Sequence, residues 1–218
     1  MLKLQNISYR YKNSERNALN DVCASFEGGC FSAIIGPSGS GKTTLLSIMA
    51  GLDVPSDGDV LIDGDSLAAL DLDQYRKERI SMIFQAFQLF PLLTAIENVC
   101  YPMETSGIPK SKALPRAAQL LESVGIDKTK HNRHPANLSG GEQQRVAIAR
   151  ALSTGAKVIL ADEPTGNLDK ANGDAVVSIL QDLAHDKGYC IIIVTHNPEI
   201  ADAADEVFKM SDGVLVIN

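Results

Sequence analysis

The stretch GPSGSGKT, residues 36–43, decides the fold of this chain. It fits in full the pattern GxxxxGK[ST], whose glycines let the backbone curl so that successive N–H groups converge on phosphate oxygens. A short apolar run of the buried-strand type precedes the loop at 31–35, and a segment with helical spacing follows it at 42–50. A strand, a glycine-rich loop and a helix in this order predict a phosphate site within an α/β domain.

The side chains of this loop have separate chemical tasks in the predicted site. The helix that begins near Lys42 adds its partial positive charge to the site. We expect the Lys42 ammonium to reach the β- and γ-phosphates of a nucleotide and the Thr43 hydroxyl to bind Mg²⁺. The residues predicted to contact the nucleotide here are Gly36, Pro37, Ser38, Gly39, Ser40, Gly41, Lys42, Thr43 and Thr44.

Two acidic residues follow another apolar run. The run 158–161 leads directly into Asp162 and Glu163. A buried strand that ends in two acids places them at the carboxyl edge of the sheet, where α/β proteins bind ligands. Asp162 is suited to hold Mg²⁺ through water, and Glu163 to orient or deprotonate an attacking water. The alternative is a solvated acid pair at an exposed strand end.

A histidine, His196, ends the apolar run 190–195. At the same edge of the sheet it would contact the terminal phosphate of the nucleotide. The alternative is a histidine that is satisfied by hydrogen bonds to the backbone.

The alternation of strands and helices is interrupted once. Strand patterns occupy 2–11 and 22–27, and from 86 to about 152 the patterns become helical. The helical patterns cover 94–101, 111–124 and 141–152, separated by Pro102, Pro109, Gly125 and Pro135. The runs 158–161 and 190–195 then resume the α/β order around a helix at about 172–186, as central parallel strands do. We therefore expect a helical insertion in an α/β domain.

Composition narrows the classes of partner. The net charge of −7 disfavours binding to nucleic acid and direct binding to anionic lipid. No apolar run in the sequence is long enough for a membrane span, so we expect no direct membrane insertion. The N-terminus reads as a strand and not as a secretory signal, and the 4 cysteines form no CxxC pair. These features predict a cytoplasmic protein with reduced thiols.

The segment LSGGEQQR at 138–145 precedes a helical run. Ser139 and Glu142 have the spacing of a capping box, in which each side chain satisfies a backbone N–H of the first turn. Gly140 and Gly141 leave the N–H groups of that turn bare. The segment is therefore a capped helix start and a second candidate anion site.

Six motifs in this order resemble the ATP-binding cassette (ABC) family over nearly the whole chain. They are GPSGSGKT at 36–43, Gln85 in IFQ, LSGGE at 138–142, VILADE at 158–163, NLD at 167–169 and His196 in VTH. The resemblance implies a P-loop NTPase (RecA-like) α/β core with a mixed or parallel sheet, residues 1–85 and 153–218. An N-terminal antiparallel β subdomain and an inserted helical signature subdomain, 86–152, complete a single domain, 1–218. Glu142 departs from the glutamine that is usual in the family signature.

The resemblance also implies how the motifs work together. Two ATP molecules lie between two head-to-tail cassettes, so Ser139, Gly140 and Gly141 would serve the ATP of the other subunit. Asp169 would communicate across the interface. Gln85 would touch Mg²⁺ and relay the nucleotide state, and the ring of Tyr11 would stack on adenine. Tyr9 is the alternative stacking residue, and the alternative role for Tyr11 is that of a core or cross-strand tyrosine. ATP and Mg²⁺ are thus the expected ligands, with catalysis assigned to Lys42, Gln85, Glu163 and His196.

The run DEPTGNLD at 162–169 and the opening LxxxNISYRY are similar to the subgroup that serves lipoprotein release and the export of macrolides and peptides. The resemblance implies an ATPase subunit of a membrane export complex, or alternatively a regulatory ATPase of the cell-division type that moves no cargo. Its partners would be a second cassette, in a homodimer, and separate permease subunits at the cytoplasmic face of the membrane. The segment FQLFPLL at 87–93 is either core or the groove for such a permease.

Overall fold

A computed structural model of the chain describes residues 1–12 and 14–217, so Asn13 and Asn218 lie outside the described residues. The strands in chain order are β1 (Leu2–Tyr9), β2 (Leu19–Phe26), β3 (Phe31–Ile35), β4 (Asp57–Ile62), β5 (Asp65–Ser66), β6 (Ile80–Phe84), β7 (Val158–Asp162), β8 (Cys190–Thr195), β9 (Glu206–Ser211) and β10 (Val214–Ile217). The α-helices are α1 (Lys42–Met49), α2 (Leu72–Glu78), α3 (Ala95–Thr105), α4 (Lys110–Ser123), α5 (Gly140–Ser153), α6 (Lys170–His185) and α7 (Pro198–Asp202).

The larger sheet has the strand order β10-β9-β3-β8-β7-β6, and only β10 runs antiparallel to its neighbour. Successive residues of its central strands enter two different hydrophobic clusters, as in β7, where Leu160 joins one cluster and Ile159 the other. The uninterrupted apolar runs of β7 and β8 therefore reflect burial on both faces, as predicted.

The register of the larger sheet brings the carboxyl ends of its strands to one edge. Ile35 pairs with Thr195, and Asp162 pairs with Val194 and with Phe84. The segments that leave β3, β6, β7 and β8 therefore start side by side. The phosphate loop, Gln85, Glu163 and His196 follow those ends directly.

The smaller sheet is antiparallel, with the order β2-β1-β4-β5. Its inner face shares a cluster with α1 and one face of the larger sheet. On the opposite face, α3, α4 and α5 pack together around small and branched apolar residues such as Val99, Ala117 and Val146. A mixed P-loop α/β core, an antiparallel β sheet and a helical insertion are thus present, and the predicted fold class is confirmed.

Two local predictions were wrong. Pro102 was expected to separate helices, but it lies inside α3, which continues to Thr105. Burial of Val99, Cys100 and Met103 on one side of α3 outweighs the loss of one backbone hydrogen bond at the proline. The first strand was expected to reach Tyr11, but β1 ends at Tyr9.

The structure also contains elements that the sequence patterns did not indicate, namely α2, α7, β5, β6, β9 and β10. Among the helices in residues 1–12 and 14–217, none combines the length and the apolar character that crossing a bilayer requires.

Candidate functional site

The phosphate loop runs from the end of β3 to the start of α1, and close contacts with neighbouring backbone require two of its glycines. A Cβ atom at Gly36 would collide with the carbonyl oxygen of Met210, and one at Gly41 would lie 2.6 Å from the carbonyl oxygen of Ala18. Gly41 also has a φ of 108°, which side chains disfavour. The loop is therefore held by β9 and by the segment before β2.

The side chain of Lys42 folds back over this loop. Its ammonium donates to the carbonyl oxygens of Gly36 at 2.8 Å and Pro37 at 2.9 Å, and the residue is only 8% exposed. The hydroxyl of Ser40 is buried and has no hydrogen-bond partner among the described residues. A buried cation held by carbonyls and an unsatisfied hydroxyl are features of a site that takes an anion.

Asp162 lies at the end of β7, beside Lys42 and Thr43. Burial raises the pKa of its carboxyl group, and the charge of Glu163 acts in the same direction. The Lys42 ammonium and the Thr43 hydroxyl lower the pKa but do not cancel the rise. A half-buried carboxyl group with this balance is stabilised in its charged form when a further cation lies beside it.

The carboxylate of Glu163 faces β8. One oxygen lies 2.7 Å from Nδ1 of His196, and the other accepts a hydrogen bond from the Thr195 hydroxyl at 3.4 Å. The backbone of Glu163 has a φ of 48°, an uncommon value for a glutamate, and its N–H donates to the carbonyl of Val194. The predicted base and histidine thus form a pair, and its position is fixed by the register between β7 and β8.

The phosphate loop and the acidic pair border one cleft, which has a volume of about 420 Å³ and which Ser40 and His196 do not line. The cleft is lined by Tyr11, Ala18, Ser38, Gly39, Gly41, Lys42, Thr43, Thr44, Asp162, Glu163 and Val194. The hydroxyl groups of Tyr11 and Thr44 lie 2.8 Å apart, and the Tyr11 ring meets the ring of Tyr9 edge to face. Tyr11 is therefore the tyrosine that lines the cleft, although it follows β1 instead of ending it.

Gln85 is not among the residues that line the cleft. Its backbone carbonyl accepts a hydrogen bond from the Asn167 side chain at 3.0 Å, and its side-chain amide donates to the Asn167 oxygen at 3.4 Å. The Gln85 side chain also packs closely on Gly166. In this structure Gln85 is thus bound to the loop that follows Glu163.

The predicted capping box is present at the start of α5. The Glu142 N–H donates to the Ser139 hydroxyl at 3.3 Å, and the Ser139 N–H donates to the Glu142 carboxylate at 2.8 Å. The other carboxylate oxygen of Glu142 forms an ion pair with Lys130. The Lys130 ammonium lowers the pKa of Glu142, and the bond from Ser139 adds to this effect, whereas partial burial opposes it. Glu142 therefore points at its own helix, as its capping role predicts.

This ion pair makes a prediction about stability and pH. Because the pKa of Glu142 is lowered by folding, its charged form stabilises the native state above the pKa of the unfolded chain. That contribution is lost as the pH falls through the lower, native pKa. The difference in unfolding free energy between the wild type and Glu142→Gln should therefore shrink between about pH 7 and about pH 3. Urea unfolding at each pH measures it, and a difference that does not change with pH would contradict the assignment.

The segment Ser139–Gly141 lies against the start of α6 and not against the cleft. A Cβ atom at Gly141 would collide with the side chain of Asn172. Asn172 in turn binds Asp169. The Asn172 backbone N–H donates to the Asp169 carboxylate at 2.9 Å, and the Asn172 side-chain amide donates to it at 2.8 Å. Residues 139–141 contribute nothing to the described lining of the cleft.

Several contacts of this region escaped the sequence analysis. They involve Lys130, Arg150, Asn167, Asn172 and Thr195. Thr195 could have been found, because it immediately precedes His196 at the end of β8. Asn172 could also have been found, because it lies three residues after Asp169, the spacing of a helix N-cap. The contacts of Lys130, Arg150 and Asn167 join residues that are 12, 62 and 82 positions apart and have no local signal.

Comparisons with known proteins agree with this geometry. Residues 19–166 match the family described as "ABC transporter". The uncharacterized ABC transporter ATP-binding protein YclH of Bacillus subtilis (strain 168) is 40% identical over 217 residues, which are 100% of this chain and 96% of that protein. The macrolide export ATP-binding/permease protein MacB of Escherichia coli (strain K12) is 42% identical over 224 residues, which cover 100% of this chain and 34% of MacB.

A solved structure gives the same result at the level of the fold. It is the dimeric, post-hydrolysis state of the ATP-binding cassette MJ0796 bound to ADP and Pi. It superposes with a TM-score of 0.89 at 38% identity and covers 99% of this chain and 96% of its own. With the phosphate loop, the acidic pair and the capped LSGGE helix in place, this chain belongs to the ATP-binding cassette transporter family and is an ATPase.

Proposed function

We propose that this chain hydrolyses ATP to drive a membrane export complex for a peptide, lipoprotein or drug-like substrate. The observation that carries the proposal is the pair formed by Glu163, which lines the cleft of the phosphate loop, and His196, with 2.7 Å between Oε1 and Nδ1. A binding site alone needs no carboxylate that is bound by a histidine and carried on a residue with an uncommon backbone conformation. Attack by water on a phosphate does need a positioned proton acceptor.

The residues of the cleft fit ATP and Mg²⁺. The phosphate loop offers backbone N–H groups, the Lys42 ammonium and the unsatisfied hydroxyl of Ser40 to an anion. Thr43 and Asp162 offer hard oxygen ligands to Mg²⁺, which when bound neutralises charge that develops on the phosphates. Gln85 is the further ligand that we propose.

Lys42 and Glu163 have different tasks in this proposal. The Lys42 ammonium exchanges its bonds to the loop carbonyls for bonds to the β- and γ-phosphates. The carboxylate of Glu163 accepts the proton of the attacking water, and His196 holds that carboxylate in place. Tyr11, which lines the cleft, gives adenine a flat apolar surface.

We propose that the active form is a head-to-tail homodimer. The N–H groups at the start of α5 are a capped anion site, yet residues 139–141 do not line the cleft of their own chain. A second copy can bring its Ser139, Gly140 and Gly141 to the phosphates, while Asp169 links the two sites. The dimeric state of the MJ0796 cassette supports this arrangement.

A separate permease is the partner that we propose for the surface formed by Phe90, Leu92 and Tyr101. Leu92 is 87% exposed, and the rings of Phe90 and Tyr101 lie 4.7 Å apart at the surface. Phe90 and Leu92 lie in the loop that follows Gln85. Exposed apolar side chains there suit a helix of a membrane subunit better than they suit the core. The chain would then work at the cytoplasmic face of the membrane. The MacB relative, described as an ATP-binding/permease protein, supports an export role.

Leu92→Asp tests this surface. We expect it to lower recovery of the permease with the tagged chain from detergent-solubilised membranes by about tenfold, the effect of losing an apolar anchor at an interface. ATP binding by the purified chain should not change. Val54→Asp is the matched control, because Val54 is 66% exposed and lies before β4, outside this surface.

Equal recovery with the two variants would contradict the proposed docking surface. The identity of the recovered membrane protein also separates the two functions. A permease that moves a substrate in vesicles supports export, whereas a partner without transport activity favours a regulatory ATPase.

A further inference from the structure

The loop between β6 and α3 contains two consecutive residues with left-handed backbone. Phe87 has a φ of 58° and Gln88 a φ of 52°. The other non-glycine residues with positive φ in the described chain occur singly, and apart from Glu163 all of them are Asn or Asp, which tolerate this conformation. A phenylalanine and a glutamine adopt it only when surrounding contacts hold them there.

Arg150 supplies those contacts from the last turn of α5. Its guanidinium donates to the carbonyl oxygen of Gln88 at 2.6 Å and to that of Phe87 at 3.1 Å. The same group lies over the ring of Phe90, with 5.8 Å between Cζ and the ring centroid. Burial lowers the pKa of Arg150, and no carboxylate pairs with it among the described ion pairs. The two terminal N–H groups of the guanidinium therefore bind two consecutive carbonyl oxygens of one turn. A lysine ammonium lacks this planar arrangement of donors and cannot make the same pair of bonds.

The turn held by Arg150 also contacts the first turn of α5. A Cβ atom at Gly140 would lie 3.7 Å from Cζ of Phe87 and 3.6 Å from Cδ2 of Leu168. Two residues before Phe87, Gln85 is bound to Asn167. Helix α5 therefore contacts this loop twice. Arg150 in the last turn of α5 binds the loop backbone, and Gly140 in the first turn of α5 lies beside the Phe87 ring.

We propose that Arg150 is a positioning residue that couples the Gln85 loop to the LSGGE helix. It holds residues 87 and 88 in the left-handed conformation, which seats Phe87 against Gly140. The start of α5 therefore takes the orientation in which a second copy can use it. The inference rests on the proposed function, in which Gln85 and Ser139–Gly141 serve ATP.

The main test first removes the hydrogen-bond donors of Arg150 and then relieves the backbone strain at residue 88. Arg150→Met should weaken ATP-dependent dimerisation in a Glu163→Gln background by about tenfold, the scale of the energy held in a left-handed non-glycine residue. In the chain with Glu163 it should lower kcat to a similar extent. The affinity of the monomer for a fluorescent ATP analogue should stay within about twofold of the wild type, because Arg150 does not line the cleft.

Gln88→Gly is the rescue. Glycine adopts the observed φ without steric cost, so Arg150→Met combined with Gln88→Gly should regain most of the lost dimerisation. If Arg150 only stabilised α5, adding Gln88→Gly would not restore dimerisation. Arg116→Met, an exposed arginine of α4, is the matched control and should leave dimerisation unchanged.

Several outcomes overturn the proposal. The first is ATP-dependent dimerisation of Arg150→Met that is as strong as that of the wild type. The second is dimerisation that is weakened by Arg150→Met and is not restored when Gln88→Gly is added. If Arg150→Met does not fold, Phe87→Ala gives a second test: it should weaken dimerisation with unchanged ATP binding, and wild-type dimerisation counts against the coupling. Failure of the parent chain to hydrolyse ATP or to dimerise refutes instead the proposed function on which the inference rests.

Discussion

Glu163→Gln is expected to lower steady-state ATP turnover by about a hundredfold or more, the contribution of a positioned general base. Glutamine keeps the shape of the side chain and can still bond to His196 and Thr195, but it cannot accept a proton from water. ATP binding should persist, because the phosphate loop is unaltered, and an ATP-bound dimer should accumulate. Phosphate release by the purified protein and light scattering with ATP measure the two effects.

Glu122→Gln is the control for this substitution. Glu122 pairs with Lys128 on the surface of α4 and lies outside the cleft, so its loss should leave turnover unchanged. Full turnover by Glu163→Gln would show that another group accepts the proton. If Glu163→Gln is slow but stays monomeric with ATP, the result supports Glu163 as the base and counts against the proposed dimer.

The local parts of the site could be predicted from the sequence because short segments encode them. A strand that ends in Ile35, a glycine-rich loop and a helix that begins at Lys42 need no distant partner to be recognised. The same holds for the two acids at the end of β7, Asp162 and Glu163, and for the capping box of Ser139 and Glu142, whose partners are three residues apart.

The contacts between these segments could not be predicted in the same way. Asn167 and Gln85 are 82 residues apart in sequence, and Arg150 and Gln88 are 62 apart. The left-handed conformation of Phe87 and Gln88 has no signal in their residue types, since both normally avoid it. Only tertiary packing determines these features. The roles of the individual site residues therefore stay predictions until they are tested by substitution.

Lys42→Ala is the second substitution with a large expected effect. Its ammonium is the buried cation of the phosphate loop, and truncating one partner of a buried charge-assisted contact should weaken ATP binding by about a hundredfold. Lys128→Ala is the control, because that side chain is 76% exposed. An unchanged ATP titration with Lys42→Ala would rule out the assignment of the loop. Thermal unfolding without ATP checks that loss of the bonds to Gly36 and Pro37 has not unfolded the loop.

Mixing two inactive variants tests whether one ATP site needs two chains. Ser139→Arg should abolish turnover, because a long cation replaces the cap at the helix start, yet its own phosphate loop should still bind ATP. In a head-to-tail dimer of Ser139→Arg with Lys42→Ala, one site combines the intact phosphate loop of the first with the intact LSGGE helix of the second. Random pairing of equal amounts should then restore about a quarter of the wild-type rate.

The restored rate should rise as one variant is titrated into a fixed amount of the other, and two Lys42→Ala preparations mixed together are the control. A site contained within one chain cannot be restored in this way, because each chain of the mixture carries a defect in the single site that it owns. Absence of any recovery, with both variants folded and able to associate, would therefore place the LSGGE helix outside the ATP site of the partner.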